Sequence, residues 1–121
     1  MGKFQELKVW QRAVSFATKV IQAIDGFDCP RKHYRLIEQL EAACTSVAMN
    51  IAEGKGRQTT KEFIQYLFIA RGSLFEVITL LIILQNLDWM TPKQVNEFQA
   101  DAEEITKMLN ALIKAMKKNS C

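Results

Sequence analysis

Residues that interrupt helices are scarce in this sequence. Its 121 residues include only two prolines and five glycines, and these stand where the spacing of apolar residues is broken. No stretch shows the alternation of apolar and polar residues that a half-buried strand requires. The chain also contains no low-complexity segment and no clear internal repeat. Long periodic runs with few interruptions predict an all-helical protein.

Cysteine and histidine, the residues that most often supply nucleophiles and metal ligands, are also few. Three cysteines at irregular spacing, Cys29, Cys44 and Cys121, argue against a disulfide framework. His33 is the single histidine, and no CxxC, HExxH or Glu-x-x-His pattern accompanies it. Cys29 and His33 are four residues apart, but two ligands do not make a metal site. We therefore predict no catalytic residue, no metal and no cofactor, and a protein that is not an enzyme.

Charge of either sign is not in large excess. The net charge is +3, with 24% charged and 49% hydrophobic residues, which is ordinary for a globular protein. A dedicated nucleic-acid binder is usually more basic, so the net charge alone is weak evidence for such a partner. The length fits one domain spanning residues 1–121. Since no apolar run follows a basic segment near residue 1, we expect a cytoplasmic, reduced protein.

Four helical segments follow from the apolar spacing. Apolar residues recur at steps of three and four over about residues 7–25, 30–53, 60–87 and 92–117, and each run builds one apolar stripe. Pro30 suits the first position of the second helix. Because the connections are short, neighbouring helices should run antiparallel. The predicted fold is an all-α, up-down-up-down four-helix bundle.

Two helix starts carry capping patterns. Thr59 and Glu62 are three residues apart, as are Thr91 and Gln94, and Pro92 stands at a first helical position. In a capping box the two side chains each accept a hydrogen bond from the other residue's backbone amide. Both starts are therefore predicted to be capping boxes.

The third predicted helix is apolar on almost every side. Only Arg71 and Glu76 carry charge between residues 63 and 87. A membrane span is one interpretation, but these charges leave uncharged runs shorter than the ~20 residues that a span needs. We favour burial by the other three helices together with another subunit, and no membrane. Arg71 is then expected at a subunit boundary or along a central channel, because a charge in apolar surroundings must be paired or solvated.

The stretch from residue 50 to residue 57 joins the second and third helices. Gly54 and Gly56 are predicted to stop the second helix. Asn50 could then bond to exposed carbonyl groups at the helix end. Glu53 and Arg57 are four residues apart, although the glycines are expected to break the helix between them. A structural or subunit-contact role for Asn50, Glu53 and Arg57 is favoured over direct contact with a ligand.

The same stretch is basic. Lys55, Arg57 and Lys61 could contact phosphate groups, with the start of the third helix as an anion site. The alternative is a solvated basic turn. The glycines do not form a phosphate-binding loop, because the further glycines, the Lys-Ser or Lys-Thr pair and a preceding strand are missing. Phe63 and Tyr66 lie near these cations and could stack on bases, although aromatic residues at helical spacing are more often core residues.

These motifs together resemble a bacterial family of four-helix-bundle proteins. Members of that family were first noticed as reading frames inside intervening sequences of 23S ribosomal RNA genes. The resemblance rests on residues 50–57, 61–63 and 69–73, with further matches at residues 7–11 and 39–40. It extends over roughly residues 7 to 113.

The resemblance implies a four-helix bundle that assembles as a ring-like homopentamer without known enzymatic activity. A distant relative is the accessory protein of diversity-generating retroelements, which partners a reverse transcriptase and binds nucleic acid through a basic surface. One difference bears on that function. The family often carries paired basic residues after the segment 39–40, whereas this chain has Glu41 and Ala42, so that face has lost its cations.

Two functional hypotheses follow. The first is a non-enzymatic, homo-oligomeric helical bundle that acts as a scaffold or binding protein for RNA, DNA or another protein. The second is a nucleic-acid-binding accessory factor, in which a ring repeats the basic surfaces of Lys55, Arg57, Lys61 and the lysines of the fourth helix. Strong salt dependence of binding would distinguish the second hypothesis from a scaffold for proteins.

Overall fold

The computed structural model describes residues 3–26 and 34–119. Within them lie a short 3-10 helix, Lys3–Glu6, and four α-helices: α1 Lys8–Asp25, α2 Tyr34–Lys55, α3 Thr60–Asn86 and α4 Pro92–Lys118. These residues form no strand. The predicted all-α four-helix bundle is thus confirmed. The start of the second helix predicted near Pro30 lies outside the described residues.

Consecutive helices run antiparallel. Ser46 of α2 meets Ser73 of α3, whereas Gly54, later in α2, meets Phe63 and Tyr66, earlier in α3. On the other side of α3, the side chains of Phe68 and Arg71 reach the last turns of α4. Phe16 of α1 packs edge-to-face on Phe98 of α4, with 6.3 Å between the ring centroids. One end of the bundle, called here the joint end, therefore holds the starts of α1 and α3 and the ends of α2 and α4.

The core is apolar along its full length. Each helix contributes residues at steps of three and four, which is the spacing that places side chains on one helical face. α3 contributes the most, and Leu67, Ala70, Leu74, Val77, Leu81 and Leu84 are wholly buried. Ser73 is the one buried polar side chain among the described residues.

The end of α2 differs from the prediction. Gly54 does not stop the helix, which continues to Lys55. Gly54 is buried at a close approach of α2 and α3, where a Cβ atom would stand 2.6 Å from Cβ of Tyr66. The glycine is thus used for helix packing rather than as a terminator. The backbone N–H of Gly56 still bonds to the carbonyl of Ala52, at 3.2 Å, and the turn begins there.

The two capping patterns have different outcomes. Thr91 and Gln94 form the predicted box, because each side chain accepts a bond from the other's backbone amide, at 3.1 and 3.0 Å. Thr59 forms only half of one. Its hydroxyl accepts from the amide of Glu62 at 3.1 Å and donates to the Glu62 carboxylate at 2.9 Å. The carboxylate is therefore bound to the Thr59 side chain and not to its backbone amide.

α3 has the length and composition that would also suit a membrane span. The core helix of a bundle meets the same criteria, and 39% of its most apolar window is buried within this chain. On the rest of the surface of α3, four large apolar side chains remain exposed: Ile69, Phe75, Ile82 and Ile83.

Candidate functional site

A groove of about 530 Å³ runs along the outer surface between α2 and α3. We call it the α2–α3 groove. It contains three of the residues singled out in the sequence, Asn50, Glu53 and Arg57. Its remaining lining comes from Ala42, Thr45, Ser46, Met49 and Tyr66. The groove thus combines polar groups with the apolar side chain of Met49, which is 67% exposed.

Asn50 organises the polar interior of this groove. Its amide nitrogen donates to the backbone carbonyl and to the hydroxyl of Ser46, both at 2.8 Å. The Ser46 hydroxyl lies 2.9 Å from that of Ser73 on α3. Asn50 therefore does not bond to the exposed carbonyls at the end of α2. It belongs to a chain of polar groups that links α2 to α3 through the otherwise apolar interface.

Arg57 and Glu53 form an ion pair at 2.9 Å. The predicted break of the helix between them is confirmed, because α2 passes through Gly54 but ends at Lys55, and the turn follows at the next residue. The guanidinium also donates to the hydroxyl of Tyr66 at 2.5 Å and lies 4.9 Å from the centre of its ring. Both partners of the ion pair are well exposed, so the pair adds little stability. It does neutralise the cation nearest to the groove.

The other two cations of the turn have different surroundings. The ammonium of Lys55 lies 5.6 Å from the centre of the Phe63 ring, and Lys61 is exposed in the first turn of α3. Of the three predicted phosphate-contacting residues, only Arg57 lines the groove. Phe63 is buried and belongs to the core, so it offers no face for stacking on a base.

Arg71 lies on the opposite side of α3, next to α4. Its guanidinium donates to the side-chain carbonyl of Asn110 at 2.8 Å and covers the ring of Phe68 at 4.7 Å. Lys117 lies 5.1 Å from the centre of the same ring. Arg71 is therefore separate from Asn50 and Glu53, for which a subunit contact was also predicted. Glu76 is exposed and lines a smaller groove with Gln39 and Phe75.

Sequence reasoning missed Ser46, Ser73 and Asn110. Ser46 and Ser73 are 27 residues apart and Asn110 is 39 residues from Arg71, so no local pattern connects them. Ser73 did carry a signal, since it is a polar residue within the apolar run of α3. Such a residue must find a hydrogen-bond partner when it is buried.

Metal ligands and reactive thiols were sought among the described residues. No group of three or more histidine, cysteine or acidic side chains in residues 3–26 and 34–119 is placed to hold a metal ion. Burial raises the pKa of the Cys44 thiol to about 12, with a smaller contribution from the charge of Glu41. A thiol with so high a pKa is a poor nucleophile. Cys29, His33 and Cys121 lie outside the described residues.

Comparison with known proteins relates this arrangement to a family. A search of curated proteins found no match. A crystal structure from Bacteroides thetaiotaomicron VPI-5482, of a protein with unknown function from the S23 ribosomal protein family, is similar to this chain, with a TM-score of 0.80 and 26% sequence identity. The similarity covers 88% of this chain and 98% of that one. The family model described as 23S rRNA-intervening sequence protein matches residues 5–111. The chain therefore belongs to the family of 23S rRNA-intervening sequence proteins.

Proposed function

We propose that this protein is a non-enzymatic, homo-oligomeric helical bundle that acts as a scaffold, and that its copies meet on the outer face of α3. One observation carries the proposal. Ile69, Phe75, Ile82 and Ile83 of α3 are 51%, 52%, 42% and 39% exposed. An exposed contiguous apolar patch is typical of an interaction site, whereas scattered single residues are not.

These residues form two pairs along the outer side of α3, and the exposed Glu76 lies between Ile69 and Ile83. Ile69 and Ile83 are fourteen residues apart, which is about four helical turns, and Phe75 and Ile82 are separated by about two turns. The four side chains thus follow the helix for about 20 Å. Full burial of each would contribute roughly 1.5–3 kcal/mol. A second copy supplies an apolar partner for this surface without requiring any other protein, and homo-oligomers are common among soluble proteins.

The test is the native mass measured by sedimentation or light scattering. The double variant Ile69→Gln/Ile83→Gln removes the apolar ends of the surface while keeping good helix formers. We expect the wild-type protein to be an oligomer and this variant to dissociate. Val14→Gln is the matched control, because Val14 is 37% exposed on α1 and should not affect assembly. A monomeric wild-type protein, or dissociation by the control alone, would contradict the proposal.

A second candidate function is that of a nucleic-acid-binding accessory factor. The observation that favours it is the separation of charge along the bundle. Counting the terminal turn of each helix with Lys3–Glu6 and the turn before α3, the joint end holds seven basic residues: Lys3, Lys8, Lys55, Arg57, Lys61, Lys117 and Lys118. It holds only three acidic residues, Glu6, Glu53 and Glu62. One end of a weakly charged protein is therefore strongly basic, which is the electrostatic pattern of a polyanion-binding surface.

Fluorescence anisotropy tests this second function. Structured RNA, single-stranded RNA and duplex DNA would each be titrated at low and at high salt. Binding that weakens steeply with salt supports contacts to phosphate groups. No binding of any of the three at low salt, with the native assembly intact, would exclude this function and leave the scaffold.

A further inference from the structure

The charges of α4 are divided between its two halves. The first half carries Glu97, Asp101, Glu103 and Glu104 with a single lysine, Lys93. After Ile105 the helix carries no acidic residue and four lysines: Lys107, Lys114, Lys117 and Lys118. α3 has a similar stretch, because Arg71 is its only charged residue between Phe63 and Phe75.

The fold brings these two stretches together where α3 passes the last turns of α4. The ring of Phe68 contacts both the guanidinium of Arg71 and the ammonium of Lys117. Lys114 is three residues before Lys117 and four before Lys118, so the three lysines are neighbours on the surface of α4. We call the surface formed by Arg71, Lys114, Lys117 and Lys118 the basic face. Lys107 is left out because Glu103 and Glu104 precede it by one turn.

Two lysines of this face are not neutralised by any acidic residue that the structure describes. Lys114 and Lys118 are exposed and form no ion pair with any residue that the structure describes. At the turn between α2 and α3, by contrast, Arg57 is paired with Glu53. The helix macrodipole favours cations in the last turn of a helix, which accounts for Lys117 and Lys118. It does not account for Lys114, which lies further from the end, or for Arg71 on the neighbouring helix.

The composition of the basic face indicates the class of its ligand. Membrane-surface helices place large apolar residues beside their cations, but none of the large apolar residues exposed on the described chain belongs to α4. The core of a protein interface is depleted of charged residues, whereas this face consists of charged residues. Phe68 is covered by two cations and is not open for stacking on a base. The remaining ligand is a regular polyanion contacted through its backbone.

We propose that the basic face binds the phosphodiester backbone of nucleic acid without reading its sequence. The inference rests on the second function proposed above. It narrows the predicted contacts from Lys55, Arg57, Lys61 and the lysines of the fourth helix to three of those lysines, and adds Arg71 of α3. Phosphate contacts position a nucleic acid but carry no sequence information. Duplexes of equal length and different sequence should therefore bind equally well.

The experiment compares three variants with the wild-type protein on RNA and DNA duplexes of about 20 base pairs. The first, Lys114→Gln/Lys117→Gln/Lys118→Gln, removes the exposed charges of the basic face. The second, Arg12→Gln/Lys19→Gln/Lys93→Gln, removes as many charges elsewhere and is the matched control. The third, Lys55→Gln/Arg57→Gln, tests the turn. Circular dichroism and native mass establish that each variant is folded and assembled.

We expect the first variant to lose at least about tenfold in affinity at low salt and to lower the slope of log K against log salt by about two to three. The matched control should bind as the wild-type protein does. Equal losses in the first variant and the control, or a loss confined to the third, would overturn the inference while leaving nucleic-acid binding in place. Absence of binding by the wild-type protein would instead remove the second function itself. Equally tight binding of poly-glutamate, lost in the same variant, would overturn the assignment to nucleic acid.

Discussion

At the scale of single residues, a substitution at Gly54 distinguishes the effect of helix packing on stability from that of helix propensity. Exchanging glycine for alanine within a helix normally stabilises it by roughly 0.5–1 kcal/mol. At Gly54 the new Cβ would stand 2.6 Å from Cβ of Tyr66 and 3.0 Å from Cδ1 of Phe63. We expect Gly54→Ala to destabilise the fold by about 1–3 kcal/mol, because α2 and α3 must move apart. Urea unfolding at fixed protein concentration measures this.

Gly72 is the matched control for that substitution. It lies within α3, and a Cβ there would meet nothing within 4 Å. Gly72→Ala should therefore stabilise the protein by up to about 1 kcal/mol. Stabilisation by both substitutions would show that backbone freedom, and not the contact with Tyr66, decides the effect at Gly54.

The ionisation of Cys44 should make the stability of the protein depend on pH in the alkaline range. Its pKa in the folded protein is about 12, raised from 9.0 chiefly by burial. Above about pH 9 the unfolded chain releases this proton and the folded chain does not, so the unfolded state is favoured as the pH rises. The contribution of Cys44 to stability is thus complete below pH 9 and declines between 9 and 12. In a background with Cys29→Ser and Cys121→Ser, the Cys44→Ala variant should lose stability less steeply over this range; parallel curves would contradict the assignment.

The substitution Arg71→Glu tests whether Arg71, which bonds within its own chain, also lies between subunits. Arg71→Glu removes the bond to Asn110 and the cation over Phe68, and places a negative charge on an apolar helix. If Arg71 lies at a subunit boundary, the native mass should change. Asn110→Ala removes the same hydrogen bond without a change of charge and should leave the mass unaltered. If the Arg71→Glu variant has the same native mass as the wild-type protein, Arg71 lies outside the subunit contacts.

At the scale of elements, the sequence is informative wherever structure is local. Apolar spacing and the Thr91 cap indicate the helices, because both depend on residues within one or two turns. The end of α2 was predicted wrongly because Gly54 is placed by its contact with Tyr66 on another helix. The turn after α3 carries no glycine signal either, since Asp88 itself adopts a left-handed conformation with φ of 63°. The network of Asn50, Ser46 and Ser73 depends on packing that no local pattern contains.

The cap of α4 gives a prediction at this scale. Thr91→Ala removes the hydroxyl that accepts from the Gln94 amide and leaves an exposed donor at the start of the helix. The expected loss is about 1 kcal/mol in the free energy of unfolding. Thr18→Ala is the control, because the exposed Thr18 hydroxyl bonds back to the carbonyl of Val14 within α1, and alanine is the better helix former. The control should be neutral or slightly stabilising, and an equal loss in both variants would argue against a capping effect.

At the scale of the whole molecule, composition alone is misleading about charge. A net charge of +3 gives little sign of a strongly basic joint end, since the acidic residues of α4 lie towards the other end of the same helix. The direction of each helix is needed to see this, because it decides which charges become neighbours. The basic face could therefore be located only after the antiparallel order was known, although each of its residues is visible in the sequence.

The exposed apolar residues of α3 lead to a prediction about how the melting temperature depends on protein concentration. If copies bury Ile69 and Ile83 against one another, unfolding is coupled to dissociation, and the melting temperature must rise with protein concentration. A folded monomer would show no such dependence. We expect the wild-type melting temperature to increase over a tenfold rise in concentration and that of Ile69→Gln/Ile83→Gln to stay constant. Because the variant replaces only exposed side chains, it should remain helical by circular dichroism at low concentration. A concentration-independent wild-type melting temperature would mean that the apolar face of α3 is not buried by copies of this chain.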